Sequence, residues 1–231
     1  MNEPLPAIEV ETATPARFTI IWLHGLGADG SDFEAIVPEL RLPASAGVRF
    51  IFPHAPEIPV TCNGGYVMPA WYDIITLDSD TRTVDEAGII RSRQSIRQLI
   101  ARENARGTPC SRIFLAGFSQ GGAIAYTTAL THPERLAGLL ALSTYLPTAD
   151  LLSKEASAAN RDLPIFCAHG VEDDVVSLSL GSAARDFLRA NGYELEWNEY
   201  PMPHSVCLAE VKDIGRWLQE NMRENRPAAL P

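Results

Sequence analysis

Gly117-Phe118-Ser119-Gln120-Gly121 sets a serine between two glycines. A strand-like run, residues 111–116, precedes it, and residues 122–126 open a helical pattern after it. A serine on so sharp a strand-to-helix turn must take strained backbone angles, and the flanking glycines clear room for them. The turn lifts the hydroxyl over a helix N-terminus, whose N–H groups can receive a developing negative charge. That is the arrangement needed for covalent acyl transfer through Ser119.

A serine hydroxyl is a poor nucleophile without a base. Of the five histidines, His24 and His54 precede the serine. His132 stands at a His132-Pro133 break and is expected to cap a helix or face solvent. His169 adjoins a strand directly, in Ala168-His169-Gly170. His204, in Met202-Pro203-His204-Ser205, falls after the last strand and before the last helix. Loops at that end of a parallel sheet border the crevice where ligands bind. His204 is therefore the expected base. The acid should follow the strand near 165–168, where Glu172, Asp173 and Asp174 stand together. Asp173 is the first choice and Asp174 the alternative. A buried carboxylate there would orient the imidazole and stabilise it once charged. One oxyanion donor should be the N–H of Gln120, and a second should come from the loop His24-Gly25-Leu26-Gly27.

These groups need a rigid frame. Continuous apolar runs at 18–23, 48–52, 113–116, 136–142, 165–168 and 194–200 read as strands buried on both faces. Helical patterns lie at about 32–41, 84–106, 120–131, 178–191 and 206–224. Ser31-Asp32-Phe33-Glu34 and Thr83-Val84-Asp85-Glu86 read as capping boxes, and Gly192 as a helix stop. The alternation predicts an α/β fold: a mostly parallel sheet with helices on both faces and no large cap, in one domain spanning 1–231. From 54 to 83 the chain is rich in proline, glycine and aromatics without a clear period, which suggests a flap over the site. Residues 226–231 read as a frayed tail.

Composition removes several other classes. The net charge is 19 − 29 = −10, which does not suit a phosphate backbone. No apolar run reaches the roughly 18 residues of a membrane helix, so stable membrane insertion is not expected. Met1-Asn2-Glu3-Pro4 lacks the basic and apolar start of an export signal, which makes the cytoplasm the expected location. Cys62, Cys110, Cys167 and Cys207 show no disulfide spacing, and Cys167 reads as buried filler. No H-E-x-x-H or clustered ligand set is visible, so neither metal nor cofactor is called for.

A wider set of segments carries a resemblance. It comprises Leu23-His24-Gly25-Leu26-Gly27 with Asp29-Gly30, Pro53-His54-Ala55-Pro56, Asn63-Gly64-Gly65-Tyr66, Ala70-Trp71-Tyr72-Asp73-Ile74, the Ser119 segment, Ala141-Leu142-Ser143 with Leu146-Pro147, His169-Gly170 with Asp173, and His204-Ser205. With these the chain resembles the bacterial carboxylesterase and acyl-protein thioesterase (phospholipase/carboxylesterase) family of α/β hydrolases, from about residue 20 to 218. The resemblance implies a Ser119–Asp173–His204 triad and oxyanion donors at the N–H groups of Leu26 and Gln120. It also implies an apolar acyl channel flanked by Trp71, Leu77 and Tyr145. Small esters or thioesters are the implied substrates, and a homodimer is a common state in such a family. The chain departs from the family pattern at Asp174 and Ser177, where relatives usually carry proline.

Overall fold

The computed structural model describes residues 4–77 and 82–224. Residues 1–3, the tail at 226–231 and four residues of the 54–83 stretch lie outside these.

The described strands are β1 (Ala7–Glu11), β2 (Phe18–Leu23), β3 (Val48–Pro53), β4 (Glu57–Val60), β5 (Tyr66–Pro69), β6 (Ile74–Leu77), β7 (Arg82–Val84), β8 (Ile113–Phe118), β9 (Gly138–Leu142), β10 (Ile165–Gly170) and β11 (Glu196–Tyr200). The helices are α1 (Ile36–Glu39), α2 (Glu86–Ala105), α3 (Gln120–Leu130), α4 (Ala149–Glu155), α5 (Leu178–Ala190) and α6 (Leu208–Glu224). Seven strands form one sheet in the order β1-β3-β2-β8-β9-β10-β11, parallel throughout except for β1, which runs antiparallel to β3.

Alternation along each strand splits the core into two layers. In β2, Phe18, Ile20 and Trp22 face α6, packing with Ile214, Trp217 and Leu218. Ile21 and Leu23 face the other way, into a layer with Ile89, Ile96 and Leu99 of α2 and Ile124 of α3. Every residue of α3 is buried. The helix that begins at the serine turn is therefore packed on all sides.

The main strands and helices lie close to where the sequence puts them. Two expectations fail. The helix at 32–41 is only α1, because Asp29 Oδ1 takes the N–H and hydroxyl of Ser31 at 2.7 and 2.6 Å and holds a turn where a cap was expected. Thr83 caps nothing: it belongs to β7, and α2 starts at Glu86 behind Asp85. Within the stretch read as a flap, the described residues pair as two antiparallel two-stranded sheets, β4–β5 and β6–β7. Gly192 does end α5, with φ of +77° and its N–H on the Arg189 carbonyl.

Candidate active site

The turn between β8 and α3 puts Ser119 at φ 53° and ψ −122°, a region that costs a non-glycine residue about 1–3 kcal/mol. Three bonds enforce it. Ser119 N–H donates to the Leu142 carbonyl at 2.9 Å, and the Ser119 carbonyl accepts from Gly122 N–H at 3.0 Å and from Thr144 Oγ1 at 2.6 Å. The neighbouring strand end thus holds the turn from both sides. Glycine is required where helix meets strand: a Cβ on Gly121 would lie 2.5 Å from the carbonyl oxygens of Leu23 and His24. The Ser119 side chain makes no cap on its own helix, which leaves the hydroxyl free for other partners.

The acid and base arrive on adjacent loops after β10 and β11. Val171 N–H donates to the Tyr200 carbonyl at 2.9 Å and Glu172 N–H to the Met202 carbonyl at 3.2 Å, which locks the loops together. Across this junction Asp173 Oδ2 lies 2.7 Å from His204 Nδ1. Asp173 Oδ1 accepts from the N–H groups of Val175 and Val176 at 3.0 and 2.8 Å. Burial acts to raise the Asp173 carboxyl. The His204 hydrogen bond and the two amides outweigh it and hold the group below the usual range. Asp174 is exposed, so of the two adjacent acids only Asp173 faces the imidazole. The His204 ring packs on Phe118, centroids 4.6 Å apart, directly beside the serine turn. With Nδ1 engaged by the carboxylate, Nε2 is the nitrogen left to exchange a proton.

The loop after β2 closes the site from the other side. A Cβ on Gly25 would lie 3.4 Å from Ser119 Cβ, so this backbone passes directly over the nucleophile turn. His24 anchors the loop. Its Nδ1 donates to the Gly25 carbonyl at 2.7 Å, and its Nε2 accepts the Ala55 N–H at 3.1 Å. Burial keeps its pKa below that of an ordinary imidazole, against the pull of the Gly25 carbonyl, so the neutral ring serves as a tie between β2 and β3.

Gln120 carries a role that motif reading did not suggest. Its buried amide bridges two backbone groups: Oε1 accepts from Trp71 N–H and Nε2 donates to the Tyr72 carbonyl, both at 2.8 Å. Trp71 in turn donates from Nε1 to the His24 carbonyl at 2.9 Å. Ser119's neighbour, the 71–72 segment and the His24 loop thus form one hydrogen-bonded unit. A buried side chain of Gln at this position, facing a predicted flap, was the available signal.

The residues expected to flank an acyl channel are placed unevenly. Leu77 is about half exposed on the β6–β7 hairpin. Trp71 is only 2% exposed, and its indole N–H on the His24 carbonyl braces that loop. Tyr145 is also buried. Its hydroxyl pairs with that of Tyr72 at 2.7 Å, and the Arg82 guanidinium lies 4.8 Å above its ring. The face of Tyr145 borders an apolar groove with Leu146, Leu180, Ala184 and Phe187. Arg82 also donates to the Val175 carbonyl, tying the hairpin to the acid loop.

Two other histidines differ from expectation. His132 is buried, 6% exposed, and does not face solvent. His169 lies inside β10, donates from Nε2 to the Val176 carbonyl at 2.8 Å, and is kept neutral chiefly by burial. It braces the acid loop from below.

A strained serine, a carboxylate-bound imidazole and a donor-rich loop on one edge of a parallel sheet define a serine hydrolase of the α/β type. Residues 6–222 match the phospholipase/carboxylesterase family, and the chain belongs to that family. It is accordingly a carboxylic ester hydrolase. It is 41% identical to acyl-protein thioesterase 1 of Neurospora crassa, covering 94% of this chain and 90% of that one. Identity to acyl-protein thioesterase 1 of Yarrowia lipolytica is 36%, over 96% and 99% of the two chains. The crystal structure of Arabidopsis thaliana SOBER1 superposes with a TM-score of 0.84 at 33% identity, covering 90% of this chain and all of that one. These relatives are fungal and plant proteins, so the comparisons do not support the bacterial side of the resemblance.

Proposed function

We propose that this chain hydrolyses carboxylic esters and acyl thioesters through an acyl-enzyme on Ser119. The 2.7 Å Asp173–His204 bond, with the imidazole seated on Phe118 beside the strained serine, is the observation that carries the reading. His204 Nε2 takes the Ser119 proton as the oxygen attacks the acyl carbon, and returns it to the departing alcohol or thiol. Asp173 holds the ring and stabilises its charged form without itself accepting the proton. The N–H groups of Leu26 and Gln120 receive the oxyanion. Among the described residues neither has a protein acceptor. Water then repeats the sequence on the acyl-enzyme.

The acyl chain runs along the apolar surface near Leu77 and the Tyr145 groove, at the junction of the β6–β7 hairpin and the acid loop. The described part of residues 54–83 acts as the wall of the site within a single domain. No described helix is long and apolar enough to cross a membrane. Relatives named as acyl-protein thioesterases favour including thioesters with esters.

The test is a fluorophosphonate probe followed by peptide mass mapping, together with rates on p-nitrophenyl esters and matched acyl thioesters of increasing chain length. The expected adduct is on Ser119 alone, lost in Ser119→Ala. Labelling elsewhere, or undiminished hydrolysis by Ser119→Ala, overturns the proposal.

A further inference from the structure

The geometry points to a zinc-type metal site at the end of the sheet opposite Ser119, formed by Cys110, His132 and Glu134. Their ligand atoms lie within 4.8 Å of one another. No expectation from the sequence brought them together, because Cys110 enters before β8 and the other two follow α3. The spacing is the first argument. Cys110 Sγ lies 3.5 Å from His132 Nε2. A tetrahedral zinc with Zn–S of about 2.3 Å and Zn–N of about 2.0–2.1 Å holds its sulfur and nitrogen about 3.5 Å apart. The two buried ligands therefore need almost no movement, and exposed Glu134 closes the set by a change of rotamer.

The second argument is preorganisation. Fully buried Asn160 clamps the loop that carries two of the ligands. Its Nδ2 donates to the carbonyls of His132 and Glu134 at 2.8 and 2.9 Å, and its Oδ1 accepts from Leu136 N–H at 2.8 Å. Asn104 Nδ2 lies 3.1 Å from Cys110 Sγ, the position of an outer hydrogen bond to a metal-bound thiolate. The third is the ring's own freedom: Nε2 is the nitrogen that faces Cys110 Sγ, while buried Nδ1 has no partner among the described residues, so an ion would take Nε2 and leave the ring proton on Nδ1.

Ligand type selects the metal. One thiolate, one imidazole and one carboxylate suit zinc over magnesium or calcium. As the metal–sulfur bond forms, the thiol proton leaves to solvent, and the two anionic ligands then balance a divalent charge. Arg97, whose guanidinium bonds Thr131, is the nearby cation working against the ion. The fourth position faces the exposed side with Glu134 and takes water. Such a site would pin the start of β8 to the end of α3, the two elements that meet at Ser119 at their other ends.

The test is a Co²⁺ titration of the full chain after chelator treatment, read by the near-ultraviolet thiolate-to-cobalt band. One equivalent should saturate the band, and Zn²⁺ should abolish it. Cys110→Ser should lose it entirely, while Cys62→Ser and His204→Ala keep it. Glu134→Gln alters an exposed residue and so tests the site in a folded protein; it should weaken Co²⁺ at least about tenfold. A folded wild-type chain with no saturable band overturns the site. So does a band that survives Cys110→Ser, or wild-type affinity in Glu134→Gln.

Discussion

Two histidines stand at opposite ends of the β8–α3 unit, and their surroundings differ in kind. His204 is held at Nδ1 by a carboxylate at 2.7 Å, and that carboxylate is itself fixed by two backbone amides. His132 has only a 3.5 Å contact with a thiol, and its other nitrogen has no partner among the described residues. One ring is fixed by a carboxylate, as the proposed proton transfer needs. The other is positioned by its backbone and left chemically open. An imidazole's role therefore follows from what occupies its second nitrogen, and burial alone does not reveal it.

Breaking the Ser119 end should produce the largest effect. Ser119→Ala is expected to lower ester turnover on the order of 10⁶-fold while leaving the melting temperature intact. Cys110→Ser, at the other end, should leave turnover at the wild-type level. A comparable loss in both variants would erase the distinction between the two ends. Asp173→Asn comes next. The amide keeps the shape but favours the wrong tautomer of His204, which costs about 10⁴-fold in turnover. Asp174→Asn, on an exposed neighbour, should leave kcat unchanged. Equal losses in the two variants would mean that the imidazole does not depend on the 2.7 Å bond.

A smaller loss is expected where the site is braced. Gln120→Leu keeps the backbone N–H of residue 120 but strands the Trp71 N–H and the Tyr72 carbonyl. Each unsatisfied group costs about 1–3 kcal/mol of stability. The His24 loop hangs from Trp71, so turnover should fall by up to about 10²-fold through misplacement. Unchanged stability and kcat would show that the bridge has no part in holding the loop.

The parts that chemistry constrains through the backbone were legible in the sequence. Ser119 announces itself because only glycine tolerates the contacts at Gly121. The loops that bring Asp173 to His204 follow from the ends of β10 and β11, since apolar runs mark strand ends clearly, but the choice of Asp173 over Asp174 needed the contact at 2.7 Å. What failed depends on side chains that choose among local partners. Ser31 looks like a cap but is captured by Asp29 two residues earlier. Strand β1 alternates Ala7, Glu9 and Glu11 with Ile8 and Val10, too short and too charged to stand out. It is held at the sheet edge by Arg49, Arg102 and Arg106 on Glu9 and Glu11. Trp71 enters the sequence reading only through the resemblance, and its indole bond to the His24 carbonyl has no sequence signal. Cys110, His132 and Glu134 share no sequence pattern, because only the tertiary fold brings the two ends of β8–α3 into contact.

The last prediction concerns stability and the loop that carries His204. Glu210, in the first turn of α6 just beyond that loop, is fully buried, and neither carboxylate oxygen has a partner among the described side-chain contacts. Burial pushes it from 4.5 up to about 8, opposed weakly by the Cys207 backbone. Tyr200 and Asp213 stand nearby and add no cation. A carboxyl raised in the folded state contributes stability that is complete below its unfolded pKa and is lost as pH climbs from about 4.5 to about 8. Asp173 has the opposite sign. Its lowered pKa contributes stability above the unfolded value, and that contribution is lost as pH falls through the folded one. The wild-type melting temperature should therefore decline from pH 5 to 8 through Glu210. Glu210→Gln should flatten that limb and leave the acid limb below pH 4 in place. Asp173→Asn should do the reverse. Were Glu210→Gln to keep the full alkaline slope, the decline would belong to another group, and the start of α6 would not be a source of pH dependence near the base.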